Sequence, residues 1–273
     1  MTLSLAYEGT MRADGGRAVH SPSRRSPRVK ITAVKEETNS IAANIARARE
    51  RVVRAAERVG RDEGEITIVA ATKTFPAEAI RAAHEAGLRE FGENRVQECE
   101  SKQAALADLD AKWHLIGHLQ GNKARRAAQI FERIDSVDRL PLARKLDSAA
   151  EAEGKRLAIL IEVHLGNEDS KSGVEERDLA SLAKGILELS HLELLGLMAL
   201  PPYFEDAERV RPYFRKLREL RDGLNETLGR ALPALSMGMS HDFEVAIEEG
   251  ATEIRLGTAI FGPRAVAQTQ TTA

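Results

Sequence analysis

Between residues 66 and 262 the chain alternates eight short apolar runs with helical stretches, and this rhythm restricts the folds open to it. The runs are ITIVAAT (66–72), EFGEN (90–94), KWHLIG (112–117), RIDSVD (133–138), RLAILIEVHL (156–165), LELLGLMAL (192–200), ALSMGMS (234–240) and TEIRLGTAIFG (252–262). Apolar runs of this length between helices read as parallel strands buried on both faces. Eight such steps close naturally into a single (β/α)8 TIM barrel, an α/β fold that commonly takes ~250 residues. The last run leaves little chain for an eighth helix. The stretch from Thr38 to Gly60, with Ile41, Ile45, Val52 and Val53 at helical spacing, is expected to cover that gap, capped by Thr38 or Ser40. A doubly wound open sheet is the alternative. It would want a Gly-rich phosphate turn after its first strand, and ATKTFP is not one.

Of the 273 residues, 42% are hydrophobic and 30% charged, as in ordinary globular proteins. The net charge of −2 does not suggest nucleic acid or an anionic membrane as a partner. No run reaches the ~20 apolar residues of a membrane helix. One cysteine, Cys99, forms no internal disulfide, so a reducing, cytoplasmic setting is compatible. Within residues 1–34, MRADGGRAVHSPSRRSPRVK is rich in Arg, Ser, Pro and Gly without apolar period. Residues 1–34 are expected to be a disordered basic tail, with a barrel over 35–265 and a flexible 266–273.

In such a barrel, active sites form at the C-terminal ends of the strands. The loop MGMSHD exposes backbone N–H groups and the Ser240 hydroxyl just before a helix. In RLGT, Gly257 admits close backbone approach and Thr258 adds a hydroxyl. Together they form either a phosphate cup or ordinary turns. Alternation along the last strand turns Arg255 into the barrel. There it is either a ligand donor or the partner of Glu162 or Glu93. The same parity turns Thr67, Val69, Ala71 and Lys73 inward. Lys73 then ends its strand at the mouth, as a solvated boundary residue or as an amine that condenses with aldehydes. Cup, arginine and amine together describe a pyridoxal 5′-phosphate (PLP) site.

The islands ATKTFP, FGENRVQE, WHLIGHLQGNK, DSVD, SKSG, GLMALPP, LSMGMSHDFEVAI and EIRLGTAIFG stand in this order over residues 35–264. In this the chain resembles the pyridoxal phosphate homeostasis proteins, also called proline synthase co-transcribed or PLP-binding proteins. The resemblance implies a barrel like the N-terminal domain of alanine racemase, a type III PLP fold without the second β domain. It implies that Lys73 holds the cofactor as a Schiff base. Ser240, the backbone at Met239, Gly257 and Thr258 would bind the phosphate, and Arg255 would face the pyridine nitrogen. Asn94 would lie near the ring hydroxyl, and His114, Ile116 and Met198 would line the ring. Thr72 and His164 depart from residues common in the family, Ser and Asn.

Two functions compete. One is a carrier acting in vitamin B6 homeostasis, holding PLP and supplying PLP-dependent apoenzymes, expected as a monomer and not as an enzyme. The other is an amino-acid racemase of the alanine racemase type. Racemisation needs a base on each face of the carbon. In the racemases the second base comes from a further domain, which this sequence is not expected to have. Only Tyr203, after LPP, falls near the mouth. An arginine at the ring nitrogen also leaves the pyridine a poor electron sink. Cys99 and His84 read as helix residues, and no Cys/His cluster has metal-ligand spacing.

Overall fold

The computed structural model describes residues 27–166 and 172–263, with side chains from Ser40 onward. The chain begins with α1 (Pro27–Arg58), then β1 (Thr67–Ala71), α2 (Ala77–Glu85), β2 (Glu90–Glu93) and α3 (Val96–Gln103). There follow β3 (Lys112–Leu115), α4 (Ala124–Ile130), β4 (Arg133–Val137), α5 (Leu140–Ala152), β5 (Leu157–Glu162) and α6 (Glu176–Leu187). The chain continues through β6 (Leu192–Met198), α7 (Arg211–Leu228), β7 (Ala234–Met239), α8 (Phe243–Glu248), β8 (Glu253–Leu256) and α9 (Thr258–Phe261).

The eight strands pair in parallel and in sequence order, and β8 returns to β1 through Val69↔Arg255, closing the barrel. This is the expected (β/α)8 architecture. Helix-facing residues such as Ala70, Phe91, Leu115, Ile134 and Ile254 join one core with the helices. Burying one such side chain stabilises the fold by ~1.5–3 kcal/mol.

Two boundaries differ from expectation. Helix α1 starts at Pro27 rather than near Thr38, so 27–34, expected as tail, have a helical backbone. Pro suits a first helical position, and no Gly or further Pro interrupts the chain before Gly60. Residues 1–26 and 264–273 lie outside the described residues, as do 167–171 of the HLGNEDSKSG loop. The eighth strand stops at Leu256, and Thr258–Phe261 turn into α9. Helix α1 packs against α2, α8 and α9, covering the gap as expected. Asn44 Nδ2 donates to the Ile260 carbonyl at 2.8 Å across this seam. Among the described residues no helix is long and apolar enough to cross a membrane.

Candidate functional site

The barrel interior is layered. Its lower layer is charged. Arg133 Nε donates to Asp135 at 2.6 Å and Nη1 to Glu253 at 2.6 Å. His114 Nε2 meets Glu90 at 2.7 Å, and Lys112 donates to the same carboxylate at 3.0 Å. Burial pushes the Glu90 carboxyl up, but these hydrogen bonds outweigh it and hold it at about 2. His114, Asp135 and Glu253 bring ligand atoms within 4.8 Å of one another, a grouping that linear spacing hides. The Arg133 guanidinium bonds both carboxylates and supplies the counter-charge.

Above this layer the walls are apolar. Ile116 and Val69 fill the space over Gly92, where a Cβ would lie 2.8 Å from the isoleucine. Met198 packs with Leu160 and Ala234. Arg255 breaks the apolar wall. It is 3% exposed; Nη1 donates to the Ser236 hydroxyl at 2.7 Å and Nη2 to the Ala199 carbonyl at 2.9 Å. Burial pushes its pKa down. Neither carboxylate considered as its partner is one. Glu93 bonds Thr72 and Lys102, and Glu162 accepts from Ser172 at 2.8 Å.

Lys73 follows β1 and opens on a cavity of about 450 Å³ with Glu162, His164, Leu200, Tyr203 and Met239. The backbone on both sides of it is pinned. Thr72 Oγ1 donates to Glu93 at 2.6 Å, and Lys102 Nζ donates to the Thr72 carbonyl at 2.9 Å. Thr74 has φ 71°, a left-handed conformation unusual for a β-branched residue, and its N–H is held by Glu98. Such a conformation persists only where the surroundings over-determine it. Burial pushes the Glu162 carboxyl up, and its Oε2 is buried without a hydrogen-bond partner among the described residues, as is His164 Nε2.

The β7 and β8 loops meet at Ser240. Its Oγ accepts from Gly257 N–H at 3.2 Å and Ala259 N–H at 3.1 Å, so two backbone donors already converge on one oxygen. A Cβ on Gly257 would meet only Ala71, at 3.5 Å or more, so the fold itself does not demand glycine there. Thr258 begins α9 and is exposed.

The expected residues thus divide. Lys73 and Met239 share one cavity, Met239 pairs with Arg255 in register, and Ser240 links to Gly257. The Met239 N–H, expected to be a phosphate donor, instead donates to Asp242 at 2.6 Å. Ala259 N–H stands in the cup, which no reading of a strand running to 262 could have found. Asn94 lines a different cavity, with His118 and Lys123. His114 is turned down to Glu90, away from the mouth, because its neighbouring strand offers a carboxylate there. Ser236 and Asp242 were missed. Parity along β7 points Ser236 inward, and that signal could have found it.

Residues 38–265 match the family model described as alanine racemase, N-terminal domain. The pyridoxal phosphate homeostasis protein of Aquifex aeolicus is 50% identical over 81% of this chain and 96% of its own length. This chain belongs to the pyridoxal phosphate homeostasis protein family. Another member, from Pseudomonas aeruginosa, is 46% identical over 83% of this chain and 96% of its own. PipY of Synechococcus elongatus PCC7942, solved without PLP and with PLP bound, is similar in structure. TM-scores are 0.74 and 0.73 at 38% identity, covering 81% of this chain and 100% of PipY. Alanine racemase of Clostridium difficile 630, at 13% identity and TM-score 0.61, shares the fold. The curated relatives are named as homeostasis proteins rather than as enzymes.

Proposed function

We propose that this chain binds PLP reversibly at the mouth of its barrel, tethered covalently through Lys73 Nζ, and acts in PLP homeostasis and supply to apoenzymes. One observation carries the reading: two backbone N–H groups converge on Ser240 Oγ, one residue on from Met239, which pairs in register with the buried Arg255, whose own hydrogen bonds go to neutral acceptors. Donors so arranged suit an anion such as a phosphate monoester. Room at Gly257 and the orphaned Glu162 Oε2 in the Lys73 cavity fit a polar group bound there. When bound, the cofactor supplies an aldehyde that a primary amine can capture.

The chain's own residues do the rest. Glu93, Lys102 and Glu98 fix the backbone on either side of Lys73 and so aim its amine. Ser240, Gly257, Thr258 and Ala259 orient the phosphate. Arg255 would lie toward the ring nitrogen and, as a cation, would disfavour its protonation. Met198 and Ile116 would give the ring an apolar wall. His114 acts at one remove, through the charged layer. The chain acts as a monomer in a reducing intracellular compartment, in keeping with its single, buried thiol.

A racemase is the second reading, because Tyr203 lines the cavity that holds Lys73. At 69% exposure it is not held as a positioned base would be. The test is the absorbance of purified protein, with borohydride trapping and peptide mapping. The adduct is expected on Lys73 and absent from Lys73→Ala. An unchanged adduct in that variant sinks the assignment, and rapid turnover of D- or L-alanine favours the enzyme.

A further inference from the structure

Two adjoining grooves cross the outside of the barrel over α3, α4 and α5. The first, about 450 Å³, has Val96, Leu115 and Leu119 as its buried floor and Arg95, His118 and Lys123 at its rim. The second, about 650 Å³, has Ala124 and Ala149 in its floor and Arg125, Arg144 and Lys145 at its rim. They meet at the turn 120–123, where Gln120 and Lys123 line one and Gly121 and Asn122 the other. Lys145 lies across the junction; a Cβ on Gly121 would sit 3.1 Å from its Nζ. No carboxylate lines either groove.

The charge pattern here differs from the rest of the surface. Elsewhere basic side chains are mostly neutralised, as Arg81 is by Asp108 and Arg211 by Glu208 and Glu248. Arg95, Lys123, Arg125, Arg144 and Lys145 have no ion pair, hydrogen bond or ring contact among the described residues, and of these Arg95 feels the Glu98 carboxylate through space. Only Lys184 and Arg230 share that state there. Among the described residues, five of the seven basic side chains in that state, Arg95, Lys123, Arg125, Arg144 and Lys145, thus line this one concave face.

We propose that this face docks an acidic polypeptide segment of a partner protein. Carboxylates would meet the rim, and small apolar side chains would rest on the Val96–Leu115–Leu119 and alanine floors. Apolar floors under a polar rim are the anatomy of a protein interface. Nucleic acid fits less well, because neither groove offers Phe, Tyr or Trp on which bases stack. Two grooves in tandem also suit an extended chain better than one small anion. Asn94 belongs both to the first groove and to the end of β2, so a docked partner sits beside the barrel mouth. The inference rests on the carrier reading for its purpose, and docking itself is measured separately.

The test titrates the full chain into a fluorescein-labelled peptide of alternating Glu and Leu. A Lys-for-Glu peptide and a single-stranded oligoribonucleotide form the other arms. The acidic peptide is expected to bind, and more weakly as salt screens the rim. The variant K123E/R125E/K145E should weaken it about tenfold or more, whereas K184E/R230E should leave it unchanged. These side chains have no hydrogen-bond or ion-pair partner among the described residues, so the reversals orphan none of those residues. No binding by the parent chain, or equal losses in both variants, overturns the proposal. Tighter RNA binding with the same variant dependence overturns it in favour of nucleic acid. Absorbance at Lys73, read in the parent and both variants, reports the carrier reading independently.

Discussion

Arg255 Nη1 donates to the Ser236 hydroxyl at 2.7 Å, while Asp135, Glu253, Asp242 and Glu162 act on it only through space. A buried cation held by neutral acceptors leaves its charge available to an anionic ligand. Arg255→Met should therefore separate stability from binding. Replacing a buried charge by an apolar chain of similar length is expected to shift unfolding by only about 1–2 kcal/mol. Cofactor affinity should fall at least about tenfold. Urea unfolding and an absorbance titration measure the two, and unchanged affinity refutes the role.

Thr74, at φ 71°, holds strain next to Lys73. Thr74→Gly removes the Cβ clash of the left-handed region and should stabilise the fold by about 0.5–1 kcal/mol. Capture of the aldehyde at Lys73 should slow, because glycine loosens the anchor. A loss of stability in urea would contradict the strain.

Arg133 bonds both Asp135 and Glu253 in the lower layer. Arg133→Met leaves both carboxylates buried without it and should cost about 3–5 kcal/mol. The triple variant R133M/D135N/E253Q should recover most of that loss. If it does not, packing rather than charge sets the cost.

Glu90 gives the fold an acid-sensitive element. Its folded pKa of about 2 lies below the ordinary 4.5, so its contribution is present above about pH 4.5 and fades as pH falls towards 2. The stability difference between the parent chain and Glu90→Gln should reach at most about 3 kcal/mol near neutrality. It should narrow steadily between those two pH values, and a constant gap across that window speaks against the linkage.

Glu162 has the opposite sign. Burial raises its pKa, so the folded chain binds the proton more tightly than the unfolded chain does. Stability is complete below the unfolded value and is lost as pH rises through the folded one. Glu162→Gln, which still accepts from Ser172, should match the parent at pH 4 and exceed it at pH 8. Thermal unfolding at the two pH values checks this.

The barrel was legible because its strands are buried on both faces and so appear as unbroken apolar runs, ITIVAAT and RLAILIEVHL above all. Period-two parity was enough to turn Arg255 inward. It could not show that His114 points down the barrel, because that depends on which residue β2 sets beside it; register puts Glu90 within reach. Nor could it show that Asp242 takes the Met239 N–H, since the return of a turn on itself leaves no periodic trace. Asn94 lies at a strand end as expected, yet it opens on the α3 side, where β2 gives way to helix. The start of α1 was hidden for a different reason: Ile31 and Val34 extend the spacing of Ile41 and Ile45, but the Arg-, Ser- and Pro-rich stretch just before them masked that continuation.

The hydrogen bond from Asn44 to the Ile260 carbonyl joins residues 216 positions apart. Contacts of such long sequence separation form late in folding, because the loop they close must first surrender its entropy. The helix that Ile260 belongs to also carries the Ala259 N–H that turns towards Ser240. Closing this seam and bringing the Ala259 N–H to Ser240 therefore involve the same short helix. An occupied cup would act as a clasp on the seam, slowing its opening from a point far in sequence from α1.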